Sequence, residues 1–297
     1  MKYLVLVGGG ACGEYQAGAI HTLHQNGALK GLAGIVGTSV GALNGCAYAA
    51  SLVAQNGAEG LKTAWASITR TTDVYTPPLP PTALTILDPR NCYSNAIRRF
   101  VFGQSFCDVS GLNRIVKQMV GNIDTVRVGI DLDIDLHTRA FNYVSGEVET
   151  LGGRLEPALL YDMALASSAI EGLFPPHNGY GDGSVMDNAP IDVALDNGAD
   201  EIIVVYCKPD SNPTDNSQKG SVSGLRRALR AIERGISDNE EMVWARCQEI
   251  AKQRAVKFIH IYPSKDTGSF LDFNKRGLWE MGVSETMAQY NFQKGVN

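Results

Sequence analysis

Leu32-Ala33-Gly34-Ile35-Val36-Gly37-Thr38-Ser39-Val40-Gly41 joins a short apolar run to a serine with a glycine two positions away on either side. An apolar run of this length, bounded by glycine, reads as a buried strand, and residues 42–53 are small and apolar enough for a buried helix. A serine on the sharp turn between strand and helix takes a strained backbone, and the flanking glycines let the two elements approach. The same pentapeptide also fits a glycine-rich turn with an incidental serine. The strand before it and the helix after it favour a nucleophile at Ser39, carried by a parallel α/β sheet.

Towards the amino terminus, residues 2–7 form a second β-branched, leucine-rich strand that runs directly into Gly8-Gly9-Gly10-Ala11-Cys12-Gly13. A helix-like segment follows over residues 14–25, closed by Asn26-Gly27. Gly8, Gly10 and Gly13 fit the fingerprint of a dinucleotide fold, which also needs an acidic residue about 20 positions on to hold a ribose hydroxyl. Here the second strand ends at Val36-Gly37 and delivers Ser39 instead, so no nucleotide cofactor is expected. Successive N–H groups of a glycine loop at a helix N-terminus also make an anion site. Beside a nucleophilic serine, that anion is the oxyanion of a tetrahedral intermediate.

The 297-residue chain is 44% hydrophobic and 19% charged, enough for a substantial core, and is read as one domain over 1–297. Its motifs fall within 2–207, with helices and a last strand over 208–297. A formal charge of −5 provides no concentrated basic face, so nucleic acid is not expected as a partner. The six scattered cysteines suit free thiols in a reducing compartment. The first residues leave no room for a signal-peptide core, and no run approaches the roughly 18 apolar residues of a membrane span. The expectation is a soluble, cytoplasmic protein.

Downstream, residues 59–69 read as a helix with Leu61, Ala64, Trp65 and Ile68 on one face. Prolines at 77–81 mark an irregular segment over 71–91 whose Val74, Tyr75, Leu79, Leu84, Ile86 and Leu87 would line an acyl pocket, touch a membrane or pack on the core. Helices are expected at 93–102 and at 112–120, the latter capped by Ser110. Alternation over 126–136 reads as a strand that sets Asp131, Asp133 and Asp135 on a solvent face, with no metal site. His137-Thr138-Arg139 reads as the turn of a hairpin into a strand over 140–144. A helix over 156–166 leads to Asp182-Gly183, in its plainest reading a tight turn. Read chemically, Asp182 is a general base for Ser39. A helix is expected from Asn188-Ala189-Pro190 to residue 196, a buried strand over 201–207 and a polar loop over 209–222. Helices over 225–236 and 239–255, a strand over 256–262 and a helix over 275–289 complete the chain.

Taken together, Gly8 to Gly13, the serine turn Gly37-Thr38-Ser39-Val40-Gly41, and Asp182-Gly183-Ser184 resemble the oxyanion loop, nucleophile elbow and Asp-Gly motif of the patatin-like phospholipase family in its bacterial, single-domain form. Ala166-Ser167-Ser168-Ala169, Phe174-Pro175-Pro176 and Asn188-Ala189-Pro190 fit the same family, in the same order. The resemblance implies a three-layer α/β/α sandwich with a mainly parallel sheet. It implies a Ser39–Asp182 dyad without histidine, cofactor or metal, acting on phospholipid, lysophospholipid or other acyl esters, with peripheral membrane contact following from that substrate class. Gly9, Gly10 and Ala11 would hold the oxyanion, and burial would raise the pKa of Asp182. Cys12 stands where the family usually has a basic residue, and Ser184 where it has glycine or alanine.

Two other readings carry their own expectations. A Ser-His-Asp triad makes His260 the natural third member. A non-catalytic lipid- or anion-binding regulatory protein would use the glycine loop without turnover.

Overall fold

Lys2–Leu6 is apolar on both sides, and Tyr3, Leu4, Val5 and Leu6 are all buried. A strand with no solvent face belongs inside a sheet covered above and below. This strand, β1, has β2 (Leu32–Thr38) and β6 (Glu201–Val205) as parallel neighbours. In the computed structural model, which describes residues 1–76, 107–154, 156–209, 245, 247–250, 252–274 and 277–295, β3 (Asp135–Asn142) joins β2 in parallel and β7 (Lys257–Ile261) joins β6. β4 (Glu147–Gly152) and the short β5 (Tyr180–Asp182) both run antiparallel to β3. The strand order is β4-β3-β2-β1-β6-β7, with β5 off that path.

Alternate side chains build two separate apolar clusters, one on each face. Leu4, Leu6, Ile35 and Ile203 face the cluster that contains α1 (Gly13–Gln25) and α2 (Val40–Val53). On the same side lie α3 (Glu59–Ser67), α4 (Ser110–Val120), α5 (Thr125–Leu132) and α6 (Leu160–Ser167). Tyr3, Val5, Val36, Ile202 and Val204 face the other cluster, with α7 (Ile191–Asp196) and Cys247. The result is the expected three-layer α/β/α arrangement. Among the described residues, no helix is long and apolar enough to cross a membrane. The five described cysteines are buried and lie outside any disulfide.

The last helix, α8 (Leu278–Lys294), packs along α1 and beside β7. Two of its glutamines, one turn apart, bond to the outer backbone of β7 and of the residue just after it. The Gln293 amide accepts from the His260 N–H (2.7 Å) and donates to its carbonyl (2.6 Å). Gln289 does the same at Tyr262, at 2.9 and 2.7 Å.

Several expectations are corrected. Residues 126–132 are helical, because Asp124 accepts from the Arg127 N–H as an N-cap and Val128 turns into the core. The three aspartates therefore share no strand face. Asp131 pairs with Arg127, Asp133 sits beyond the helix end at φ 57° and pairs with Arg154, and Asp135 opens β3 beside His137. His137, Thr138 and Arg139 lie within β3, and the hairpin partner is β4. The helix expected from 156 starts at Leu160, since Thr125 ties the preceding backbone through the Ala158 N–H and the Glu156 carbonyl. Ser110 is the first residue of α4, and Asp108 takes its N–H. Pro190 precedes the first turn of α7, and α8 begins at Leu278 and runs on to Lys294. The irregular segment over 77–91 with Leu79, Leu84, Ile86 and Leu87, the helices at 93–102 and 225–236, and the loop over 210–222 fall outside the described residues.

Candidate active site

The parallel strands all point their carboxyl ends at one edge of the sheet, and the loops there build the site. Ser39 leaves β2 at φ 55°, ψ −127°, a region that costs a residue with a side chain about 1–3 kcal/mol. Its N–H donates to Ser167 Oγ at 2.9 Å, and that hydroxyl donates to the Arg139 carbonyl of β3 at 2.6 Å. The glycines expected beside the serine are required by contact. A Cβ on Gly41 would lie 2.1 Å from the Leu6 carbonyl oxygen, and one on Gly37 would lie 2.5 Å from the Gly41 backbone.

Asp182 closes β5, whose pairing with β3 sets it opposite Ala140. Ser39 Oγ donates to Asp182 Oδ2 at 2.7 Å, across 143 positions of sequence, and the Ser184 N–H donates to Oδ1 at 2.9 Å. The Asp182 N–H is taken by the Ala169 carbonyl, so both ends of the residue are fixed. It is 1% exposed, against 5% for Ser39. Burial pushes the Asp182 carboxyl up to about 6, although the bonds from Ser39 and Ser184 pull it down. Behind it, Gly183 backs onto the Arg139 carbonyl, and the Arg139 Nε–Asp187 Oδ2 pair (2.6 Å) pins the turn to β3. A second carboxyl, Glu171, is pushed up to about 7 by burial and by the charge of Asp182.

Gly8 to Gly13 lie where the sequence puts them, between β1 and α1. The Gly8 N–H donates to the Asn188 carbonyl, Gly9 packs on Cys207, and Gly10–Cys12 form a 3-10 turn whose end Gly13 caps. A Cβ on Gly8 would come within 3.1 Å of Ser39 Cβ, so the loop and the elbow are in contact. Among the described residues, the N–H groups of Gly9 and Gly10 have no acceptor. Ala11, expected as a third donor, already gives its N–H to the Phe270 carbonyl at 2.7 Å. The Cys12 N–H goes to the Gly9 carbonyl, and its thiol points away towards Thr267 and Gly268.

Sequence reading missed what locks loop to elbow. Gln16 of α1 is fully buried and donates to the carbonyls of Val7 and Val205 at 3.0 and 2.8 Å. Asn44 of α2, equally buried, donates to the Gly13 carbonyl and to Gln16, and accepts from the Trp65 indole at 2.9 Å. Two amides, each flanked by small and apolar residues, were the available signal, since buried polar groups survive only with partners.

An apolar pocket with about 510 Å³ of empty space, part of it open to solvent, lies beside Ser39 and Gly10. Leu43 of α2, Trp65 of α3, Ile115 and Met119 of α4, and Phe174 line it. Val74 lines it as well, and Tyr75 packs on Phe174. Among the described residues, no charged side chain does so, and Ser168 is the one hydroxyl besides Ser39.

No histidine joins Ser39. His260 is in β7, three strands from β2 in the sheet order, or roughly 14 Å at the usual spacing. Its side chain packs with Phe258, Tyr206 and Tyr262 on the other face, where burial lowers its pKa to about 4. His21, His24, His137 and His177 contact Glu59, Tyr48, Asp135 and Asp162 in turn.

The family model described as patatin-like phospholipase matches residues 4–195. No curated protein sequence matches the chain. Among solved structures, it is similar to VipD from Legionella pneumophila, at 15% identity and a TM-score of 0.42, over 98% of this chain and 67% of that one. The type III effector protein ExoU is similar at 16% identity and a TM-score of 0.44, over 99% and 52%. Human GIVD cytosolic phospholipase A2, in complex with methyl gamma-linolenyl fluorophosphonate, is similar at 10% identity and a TM-score of 0.48, over 99% and 58%. The chain thus spans between 52% and 67% of the length of these three.

Proposed function

The chain belongs to the patatin-like phospholipase family, and from that premise we propose that it is a serine acyl hydrolase in which Ser39 is the nucleophile and Asp182 its base. The observation that carries this reading is the 2.7 Å bond from Ser39 Oγ to Asp182 Oδ2 in a buried site beside an apolar pocket.

The chemistry follows from the geometry. Ser39 gives its proton to Asp182 as Oγ attacks the ester carbonyl carbon. Charge moves to the carbonyl oxygen, and the N–H groups of Gly9 and Gly10 receive it. Collapse of the tetrahedral adduct returns the proton from Asp182 to the departing alcohol and leaves an acyl-enzyme. Water, deprotonated by Asp182, then releases the fatty acid and restores Ser39. A carboxyl near 6 is mostly ionised at neutral pH, yet basic enough to receive the proton in transit. The pocket takes the acyl chain, because an uncharged, apolar lining has nothing to offer a head group. Its substrates are phospholipids, lysophospholipids or other acyl esters, met at a membrane or micelle surface by peripheral contact, and one domain over 1–297 carries the whole activity.

Mass spectrometry of products from mixed phospholipids, lysophospholipids and acylglycerols, with Ser39→Ala in parallel, tests the reading. Fatty acid released by the native chain and absent from the variant is the expected result. If neither protein releases fatty acid and a fluorophosphonate fails to label Ser39, the hydrolase reading is wrong.

A further inference from the structure

The pocket beside Ser39 has one wall that the family match does not cover. That match ends at residue 195, whereas Phe270 and Phe273 lie in a strap that connects β7 to α8. Both side chains are half-buried and face the pocket.

Residues 267–273 of the strap are tied down. Thr267 Oγ1 donates to the Cys207 carbonyl (2.8 Å), and Lys208 Nζ donates to the Gly268 carbonyl. The Phe270 carbonyl accepts from the Ala11 N–H, and the Leu271 carbonyl from the Tyr75 hydroxyl (2.9 Å). The Phe273 N–H donates to Thr71 Oγ1 at 3.1 Å. The approach at residue 10 is so close that a Cβ there would lie 2.2 Å from the Phe270 carbonyl oxygen. Gly10 therefore serves the strap as well as the turn, and its φ of 55° lies where a side chain adds strain.

The Phe273 ring is held in turn. It lies nearly parallel to Trp65, 6.5 Å between centroids and 15° between planes, and edge-on to Tyr75 at 6.2 Å. A ring fixed between two aromatic neighbours cannot swing aside without losing those contacts. It is a wall of set position.

We propose that Phe270 and Phe273 determine which acyl groups the site accepts, by setting where the apolar pocket beside Ser39 ends. The inference rests on the acyl hydrolase reading, and it adds that chain-length preference is written in the strap rather than in the motifs. Phe273→Ala opens the pocket to longer chains, and Phe273→Trp closes it to them. The magnitude follows from what apolar pockets can discriminate, about tenfold for one added or missing methylene.

The experiment is kcat/KM for phosphatidylcholine-type or p-nitrophenyl esters of short, medium and long saturated acids, with the native chain, Phe273→Ala and Phe273→Trp. The ratio of long-chain to short-chain kcat/KM is expected to rise about tenfold in the first variant and to fall in the second. Unchanged ratios in both variants, on a chain that hydrolyses esters, overturn the proposal. A second arm is independent of turnover: displacement of a fluorescent fatty acid by the same acids from Ser39→Ala and from Ser39→Ala/Phe273→Ala. If no ester is cleaved and a fluorophosphonate leaves Ser39 unlabelled, the hydrolase reading fails. A shifted chain preference in the binding arm still supports the strap as the pocket's wall, and an unshifted one overturns it.

Discussion

The elbow at Ser39 and the strap at Phe270 line one pocket and are held in different ways. The elbow is squeezed between β1 and α2 by contacts too short for any side chain, and its strained serine is tied through Ser167 to β3. The strap has one close backbone contact, at Gly10 and Ala11, and is otherwise held by bonds that each involve a side chain, among them those of Tyr75 and Lys208. A region held by backbone packing has one workable geometry and tolerates little substitution. A region held by side-chain tethers can be re-cut without disturbing the sheet. Reaction chemistry belongs in the first kind of structure and substrate preference in the second.

That contrast is broken if changes at the elbow alter preference, or if changes at the strap abolish turnover. The largest effect is expected at Asp182. Asp182→Asn should lower kcat about 10⁴-fold or more, as loss of a member of a catalytic unit does, while the variant becomes more stable at pH 8. The sign is set by burial. The folded carboxyl titrates near 6 against an ordinary 3.8, so its charge costs stability above 6, by about 3 kcal/mol in order of magnitude. Thermal melts of both proteins at pH 8 and pH 5 check this, and the variant's advantage should shrink at the lower pH. In the native chain, kcat/KM should fall about tenfold per unit below pH 6, over the window in which stability increases. A flat profile from pH 5 to 8 would remove Asp182 as the base.

Next in size is the lock between loop and elbow. Gln16→Leu strips donors from two buried carbonyls and an acceptor from the Asn44 amide, and should cost about 2–4 kcal/mol in urea unfolding. The smallest change is at the strap. Tyr75→Phe loses one bond to the Leu271 carbonyl, about 1 kcal/mol, and should leave fluorophosphonate labelling of Ser39 unaltered.

The same contrast explains what could be read from the sequence. The serine turn, the glycine loop and Asp-Gly were legible because each geometry demands particular residue types at particular offsets. Strands β1, β2 and β6 were legible from short apolar runs, and β7 from Phe258, Ile259 and Ile261 around His260. Residues 126–132 misled because Asp-Leu-Asp-Ile-Asp alternates as a strand does, while the Asp124 cap that starts the helix lies outside the pattern. Gln16 and Asn44 gave no periodic signal. The strap was silent for a different reason: an aromatic that ends a pocket needs no fixed neighbours in sequence, only a place in space. The committed N–H of Ala11 was equally hidden, since its acceptor is 259 residues away.

The two glutamines of α8 have a consequence for how copies of this chain meet. Among the described residues, β7 is the outermost strand on its side of the sheet, and a bare outer strand is a template on which another molecule can continue the pairing. Gln289 and Gln293 fill the backbone positions of His260 and Tyr262 with amide groups that imitate a neighbouring strand. An incoming edge finds those positions taken. The last helix thereby covers part of that edge, and removing both amides should show first in light scattering at high concentration, before any change in turnover.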